Sequence, residues 1–165
     1  MADKLKIPLV DAKDNIIAFV DRDSLKKGDI YRVSALWITN SNGEILIAQR
    51  QGTKSHHPLK WGPSVAGTVE HGESYSTNIV KEAFEELGLK DIKPRAGKKV
   101  LNRGKYQHFT QWFTVVVDKD INDFRLKKDE VEAIRWISKD DLIKELKENP
   151  DKFVPSIEKY VAEFL

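Results

Sequence analysis

An α+β sandwich built on a mixed β-sheet is the fold this chain predicts. Three observations carry that expectation. Runs rich in β-branched and aromatic residues outnumber helical ones, and the helices fall between them rather than in one block. The 165 residues are 40% hydrophobic and 33% charged, the balance of an ordinary globular protein. That length favours a single domain over residues 1–165 with room for a substantial core.

The elements follow in order. Residues 15–21 read as a short first strand, and residues 31–39 as a stronger one. Asn40-Ser41-Asn42-Gly43 is a turn signal, after which residues 44–50 return as Ile-Leu-Ile-Ala, so the pair reads as a hairpin. Residues 51–60 are polar and contain His56-His57-Pro58, a loop. Residues 61–70 are extended, with a bend near Pro63 and Gly67. A helix over 74–87 stops at Gly88, a usual residue just past a helix end. Strands follow at 98–101 and 106–117, then a charged loop at 118–128 and a strand at 131–137. Ser138 caps a helix running to about Glu148. Pro150 and Pro155 separate it from a last helix ending at Leu165.

Composition excludes several classes. The formal net charge of +2 makes no field that would draw in nucleic acid or an anionic membrane. The pairs Lys26-Lys27, Lys98-Lys99 and Lys127-Lys128 read as solvated charge rather than a nucleic-acid patch. The absence of cysteine removes disulfides, thiolate ligands and cysteine nucleophiles. The first residues hold no apolar stretch suited to a signal peptide, and no run approaches a membrane span. A cytoplasmic location is the default expectation. Monomer and homodimer are both compatible with the sequence.

The segment from Ser74 to Leu89 carries the chemistry. Wound at about 100° per residue, Ile79, Val80, Ala83, Phe84 and Leu87 share an arc of roughly 140° that is suited to burial. Glu82, Glu85 and Glu86 fall on the other side, within roughly 100°. Three carboxylates so close repel one another, and a hard divalent cation such as magnesium reverses that cost. A solvated acidic face is the bland alternative. Before the helix stands Gly67-Thr-Val-Glu-His-Gly72-Glu73, whose two glycines let the backbone turn tightly and approach a metal or phosphate.

Taken together, the run is Gly67, five residues, Glu73, seven residues, then Lys81-Glu82-Ala83-x-Glu85-Glu86-x-Gly88-Leu89. This resembles the Nudix signature at every defined position but one, Lys81, where the family has arginine. The resemblance implies a Nudix-type α/β/α sandwich and a hydrolase that cuts a diphosphate linkage in a small molecule with Mg2+, or Mn2+ in its place. It implies Glu82, Glu85 and Glu86 as metal ligands, with the Gly67 carbonyl a further candidate. It gives Glu73 the task of pairing with the residue at 81. Lysine keeps the charge but loses the planar fork, so a looser arrangement is expected; the alternative is a solvated Lys81 paired with Glu85. The proton acceptor stays open among Glu82, Glu130 and Glu132.

The resemblance extends over about residues 7–142. Gly43–Arg50, Pro58–Gly67 and Asn149–Pro155 look like the subgroup related to isopentenyl diphosphate isomerase. That isomerase has a cysteine just before the glycine that is Gly67 here and a metal-binding histidine just after it. This chain has Ala66 and Thr68. A methyl group and a hydroxyl replace neither the protonating acid nor the ligand, so the expectation is the isomerase's scaffold with a hydrolase's helix.

Other residues carry weaker signals. Arg50 and Lys54, at a strand end and the loop after it, are candidates to grip substrate phosphate, against plain surface charge. His56 and His57 are adjacent and read as loop residues. His71 is given no role, and His108 reads as structural. Trp37, Trp112 and Trp136 read as core, while Trp61, next to the motif loop, is a candidate substrate contact. Three functions compete: a diphosphate hydrolase, a non-catalytic nucleotide-binding module favoured by Lys81, and an isomerase with a substitute acid. The substrate's identity is not legible.

Overall fold

Residues 5–155 and 157–164 are described by the structure, a computed structural model. The end expected for the last helix, Leu165, lies outside them. The chain runs β1 (Lys6–Val10), β2 (Ile16–Asp21), β3 (Ile30–Thr39), β4 (Ile45–Arg50), β5 (Trp61–Gly62), β6 (Val65–Thr68), α1 (Tyr75–Leu87), β7 (Arg95–Asn102), β8 (Gln107–Val116), β9 (Val131–Ile137), α2 (Lys139–Glu148) and α3 (Ile157–Phe164). The seven strands from β3 onward form one mixed sheet, in which β3 pairs parallel with β8 and all other pairings are antiparallel.

Alternation along β3 and β4 divides the core in two. Ala35, Trp37, Ile45 and Ile47 pack with Leu142, Leu146, Phe153, Ile157 and Val161 from α2, α3 and the segment between them. Leu36, Ile38 and Leu46 pack with Ile79, Ala83 and Leu87 of α1. Successive strand residues point to opposite faces, so one sheet carries helices on both sides, and the α/β/α sandwich stands.

The expected hairpin is real only at its turn. β3 and β4 share two residue pairs, Ile38 with Leu46 and Thr39 with Ile45, and then part. β3 continues against β6, from Val33 opposite Thr68 to Leu36 opposite Val65, while β4 continues against β5 and β9. Pro63 and Ser64 carry the chain between the two arms. The Ser64 hydroxyl, fully buried, donates to the Leu46 carbonyl at 2.6 Å and accepts from the Ile38 amide at 2.8 Å. It fills the backbone bonds left open where the strands separate. Ser64→Ala leaves that amide buried without a partner, and the expected loss is about 1–3 kcal/mol of unfolding free energy, read from chemical denaturation.

Strand β1 escapes the sequence reading because Pro8 argues against a strand. It forms a two-stranded ribbon with β2, outside the main sheet, where a missing amide is tolerated. A buried carboxylate pins the ribbon. The side chain of Asp14 is 6% exposed and accepts from Arg32 Nε at 2.7 Å, Lys99 Nζ at 2.6 Å and the Tyr75 hydroxyl at 3.0 Å. Burial pushes its pKa up, but these donors outweigh burial and hold the carboxyl below its ordinary range. Its stabilisation is therefore complete above the unfolded value near 3.8 and is lost as pH falls through the lower folded value. Asp14→Asn should cost about 2–4 kcal/mol at pH 7. In thermal melts the gap from the unaltered protein should close only in acid below the ordinary carboxyl value.

Two further boundaries move. β7 is longer than the expected 98–101, running over Arg95–Asn102 with a bulge between Ala96 and Lys99. The charged loop before β9 buries Phe124 in the core under α1, and the amides of Arg125 and Lys127 cap the Leu87 and Glu86 carbonyls at 3.1 and 3.0 Å.

Candidate active site

Helix α1 begins where expected. Ser74 caps it by accepting the Thr77 amide, the Thr77 hydroxyl accepts the Ser74 amide in return, and Gly88 closes the helix at φ 70°. The buried face is not the expected one. Asn78, Ile79, Ala83 and Leu87 are buried, whereas Val80 and Phe84 stay 37% and 42% exposed. The helix is rolled by roughly 70° about its axis relative to a purely apolar stripe. Glu82 and Glu86 thereby turn inward beside Ile79 and Ala83, and Glu85 stays exposed. The placement of these carboxylates opposite the buried face is thus corrected for two of the three.

The inward turn perturbs both acids. Burial is the main cause that pushes Glu82 up to about 7; Lys81 opposes it, and the charges of Glu85, Glu70 and Glu73 add to it. Burial also raises Glu86 well above its ordinary value, reinforced by Glu82 and Glu130 and opposed by Lys54 and Arg50. Gly67 makes room for Glu82: a Cβ at residue 67 would lie 2.4 Å from Glu82 Cγ and 2.5 Å from Cδ.

The loop from Gly67 to Glu73 is tied down from several sides. The Val69 amide donates to the Arg32 carbonyl at 2.9 Å and the His71 amide to the Lys6 carbonyl at 2.8 Å. Glu73 accepts from the Glu70 amide and from Asn78 Nδ2, both at 2.9 Å. Lys81 Nζ lies 2.5 Å from Glu73 and 3.1 Å from Glu70, and these two anions raise its pKa against the effect of burial. Lys81 thus reaches back to the loop, and Glu70 joins the pair expected with Glu73. Asn78, which the sequence reading passed over, is fully buried and also donates to the Thr68 carbonyl at 3.1 Å. Its signal was a polar residue on the buried stripe, one turn before Glu82. Lys81→Met loosens the loop of Glu70 and Glu73 from α1 and should lower kcat by about 10–100-fold, while Lys81→Arg should keep the activity. Parallel kcat measurements on the two variants check this.

Across from the glutamates, the end of β4 and the following loop contribute cations. Arg50 is partly buried, and burial lowers its pKa against the attraction of Glu86 and Glu130; its Nε donates to the His56 carbonyl at 2.8 Å. Lys54 pairs with Glu130. Arg50, Lys54, Glu86 and Glu130 therefore form one charge cluster, while Glu132 is exposed on β9. Ring contacts lead onward from Arg50: His56 meets Tyr106 at 5.3 Å edge-on, and Tyr31 meets His108 at 5.3 Å. Arg22 bears on both Arg50 and Tyr31. Sequence reading singled out neither Tyr31, Tyr106 nor Arg22, which are isolated letters outside any motif. His108 bonds with Thr110 at 3.0 Å, and burial lowers its pKa, which fits its structural reading.

Trp61 needs correction. It packs against the core of α2 and α3, with the Arg135 guanidinium 4.7 Å above its ring. On the two-residue strand β5 it takes the sheet face opposite α1, so its ring is a packing element rather than a neighbour of Glu82 and Glu86. Trp37 and Trp112 are buried, and Trp136 packs on the α1 side.

The donor set suits a hard cation. As the side chains stand, no three histidine, aspartate or glutamate residues among those described are arranged to hold an ion. Magnesium needs only one or two carboxylates and keeps its waters. Two inward carboxylates raised by burial and mutual repulsion are the groups such a cation would relieve.

Comparison with known proteins agrees with this arrangement. The model of the NUDIX domain family matches residues 30–157, most of the chain. The chain belongs to the Nudix hydrolase family. The Nudix chain is 28% identical over 134 residues to an uncharacterized Nudix hydrolase of Listeria monocytogenes, covering 81% of this chain and 77% of that one. It is 27% identical over 150 residues to a prenyl-diphosphate phosphatase of Methanosarcina mazei, covering 90% and 88%. It is 29% identical over 133 residues to an isopentenyl-diphosphate Delta-isomerase of Ruegeria pomeroyi, covering 72% and 68%. The fold matches the crystal structure of DR0079 from Deinococcus radiodurans with a TM-score of 0.82 at 20% identity, covering 95% and 97% of the two chains. Nudix hydrolases generally use divalent metals. No helix among the described residues is long and apolar enough to cross a membrane.

Proposed function

We propose that this Nudix hydrolase cuts the diphosphate linkage of a nucleoside diphosphate derivative with magnesium, manganese serving in its place. The observation that carries this reading is the inward pair Glu82 and Glu86, raised by burial and repulsion and faced by Arg50 and Lys54. Glu82, Glu86 and the exposed Glu85 are the metal-ligating carboxylates, with the Gly67 carbonyl as a further ligand. When bound, the cation neutralises diphosphate oxygens and lowers the pKa of a water. Arg50 and Lys54 bind the diphosphate oxygens that face away from α1. Glu73 and Lys81 hold the loop so that the Gly67 carbonyl stays in place. Glu130 takes the proton of the attacking water. It already belongs to the Glu86 cluster, whereas Glu132 does not. Tyr31, Tyr106, His56 and Arg22 offer flat and cationic surfaces to a base and its sugar.

Prenyl diphosphate is the second reading, favoured by the relative named a prenyl-diphosphate phosphatase. A panel of nucleoside diphosphate derivatives and prenyl diphosphates, run with magnesium and with manganese and read by phosphate or monophosphate release, separates the two. Turnover of the nucleotides is expected. Ligand-induced thermal stabilisation without turnover across the panel would replace the hydrolase by a binding module. Isopentenyl diphosphate should give no dimethylallyl diphosphate, because Ala66 and Thr68 supply no acid.

A further inference from the structure

Asn78 is the buried polar residue of α1 that packing does not explain. It is fully buried on the stripe that also carries Ile79, Ala83 and Leu87, and its Oδ1 has no hydrogen-bond partner among the described residues. An apolar residue would fill the stripe without leaving a buried oxygen unmet. The other end of the amide is crowded with acceptors. Nδ2 lies 3.1 Å from the Thr68 carbonyl, 2.9 Å from Glu73 Oε2 and 3.5 Å from Glu82 Oε1. These oxygens fix the amide's orientation, because a flipped amide would set Oδ1 against all of them. Its N–H groups go to Thr68 and Glu73, the shorter contacts.

Lys81 stands one turn further along the same face of the helix. Its Nζ takes the other oxygen of Glu73, Oε1, at 2.5 Å, and lies 3.8 Å from Glu82 Oε1. An ammonium is a point charge that serves one carboxylate oxygen, whereas a guanidinium presents parallel N–H groups and holds both. Here the oxygens of Glu73 are met by separate side chains, Lys81 on Oε1 and Asn78 on Oε2. Glu73 Oε2 also accepts the Glu70 amide at 2.9 Å, so whatever fixes this carboxylate fixes the loop backbone as well. Held by Lys81 alone, the carboxylate would be free to turn about Oε1.

We propose that Asn78 is a positioning residue, and that Asn78 and Lys81 together form a divided fork on Glu73, equivalent in reach to a single guanidinium. Both arms border Glu82 Oε1, so the clamp on the loop also sets where that carboxylate lies. This last step rests on the reading of Glu82 as a metal-ligating group; the clamp itself does not.

Hydrogen exchange in the metal-free protein tests the clamp apart from the metal. The Glu70 amide reports on it through its bond to Glu73, and the Val69 amide, bonded to the Arg32 carbonyl at 2.9 Å, is the control. Asn78→Ala should speed exchange at Glu70 by roughly 5–10-fold more than at Val69. Adding Lys81→Arg to Asn78→Ala should bring Glu70 back to within about twofold of the Lys81→Arg protein, because the guanidinium reaches both oxygens. Exchange at Glu70 that is unchanged, that rises no more than at Val69, or that stays fast in the double variant overturns the proposal. Titration calorimetry with magnesium alone reads the link to Glu82: Kd should rise about tenfold in Asn78→Ala and fall back in the double variant. An unchanged Kd overturns that link. A clamp restored by arginine in a protein that binds no magnesium in any form would leave the fork standing and remove the metal assignment instead. Should Asn78→Ala fail to fold, Asn78→Ser, too short to reach Glu73, takes its place in both measurements.

Discussion

Glu86→Gln lowers turnover on the order of a thousandfold while the metal-free protein melts no lower than before. The two halves of that expectation have one cause. In the unaltered chain Glu86 is partly buried against Glu82 and Glu130, and its charged form is held at a cost that raises its pKa well above the ordinary range. An amide of the same shape removes that cost, so the metal-free melting temperature rises by about 2–4 °C if it moves at all. The same amide is a poor ligand for a hard cation, so stabilisation by added magnesium shrinks. Turnover assays and melts with and without magnesium read both effects. Unchanged turnover would sink the ligand assignment.

Gly67→Ala should be nearly as damaging to activity and almost silent in stability. The added methyl meets Glu82 at Cγ, Cδ and Oε1, at 2.4, 2.5 and 2.8 Å. None of these contacts is tolerable, so something moves, and the flexible glutamate side chain moves more easily than the paired backbone of β6. Residue 67 lies opposite Ser34 inside the sheet and has no left-handed backbone conformation, so alanine fits the strand. The carboxylate is displaced while the strand stays. A loss of about a hundredfold in kcat with a melting temperature shifted by no more than about 2 °C is expected. Full activity would mean that Glu82 tolerates displacement and holds no metal, whereas unfolding would mean that the backbone, not the side chain, gives way.

Much of the fold is legible in the sequence. The helix from Ser74 to Gly88 announced both ends because capping is local chemistry: a hydroxyl for free amides at one end, a residue without Cβ at the other. The β-formers at 31–39 and 131–137 and the cap at Ser138 were equally local. β1 was hidden by Pro8, whose meaning depends on whether the strand has a neighbour on its amide side. The parting of β3 and β4 was hidden too, because a turn signal fixes the first pairs of a hairpin and not how far they continue.

The sequence by itself determined the motif: three glutamates, a glycine bend and a lysine at fixed spacings along one segment, which are set by covalent order and helical geometry. Only the tertiary structure decided which way the helix turns. Burial of Ile79, Ala83 and Leu87 against the sheet carries Glu82 and Glu86 inward and leaves Val80 and Phe84 outside. Helical periodicity ranks residues around an axis but does not say where the partner surface lies. The same limit applies to Asn78, which the roll of the helix buries, and to Tyr31 and Tyr106, which meet His108 and His56. It applies also to Trp61, whose face was set by the pairing of β5 with β4.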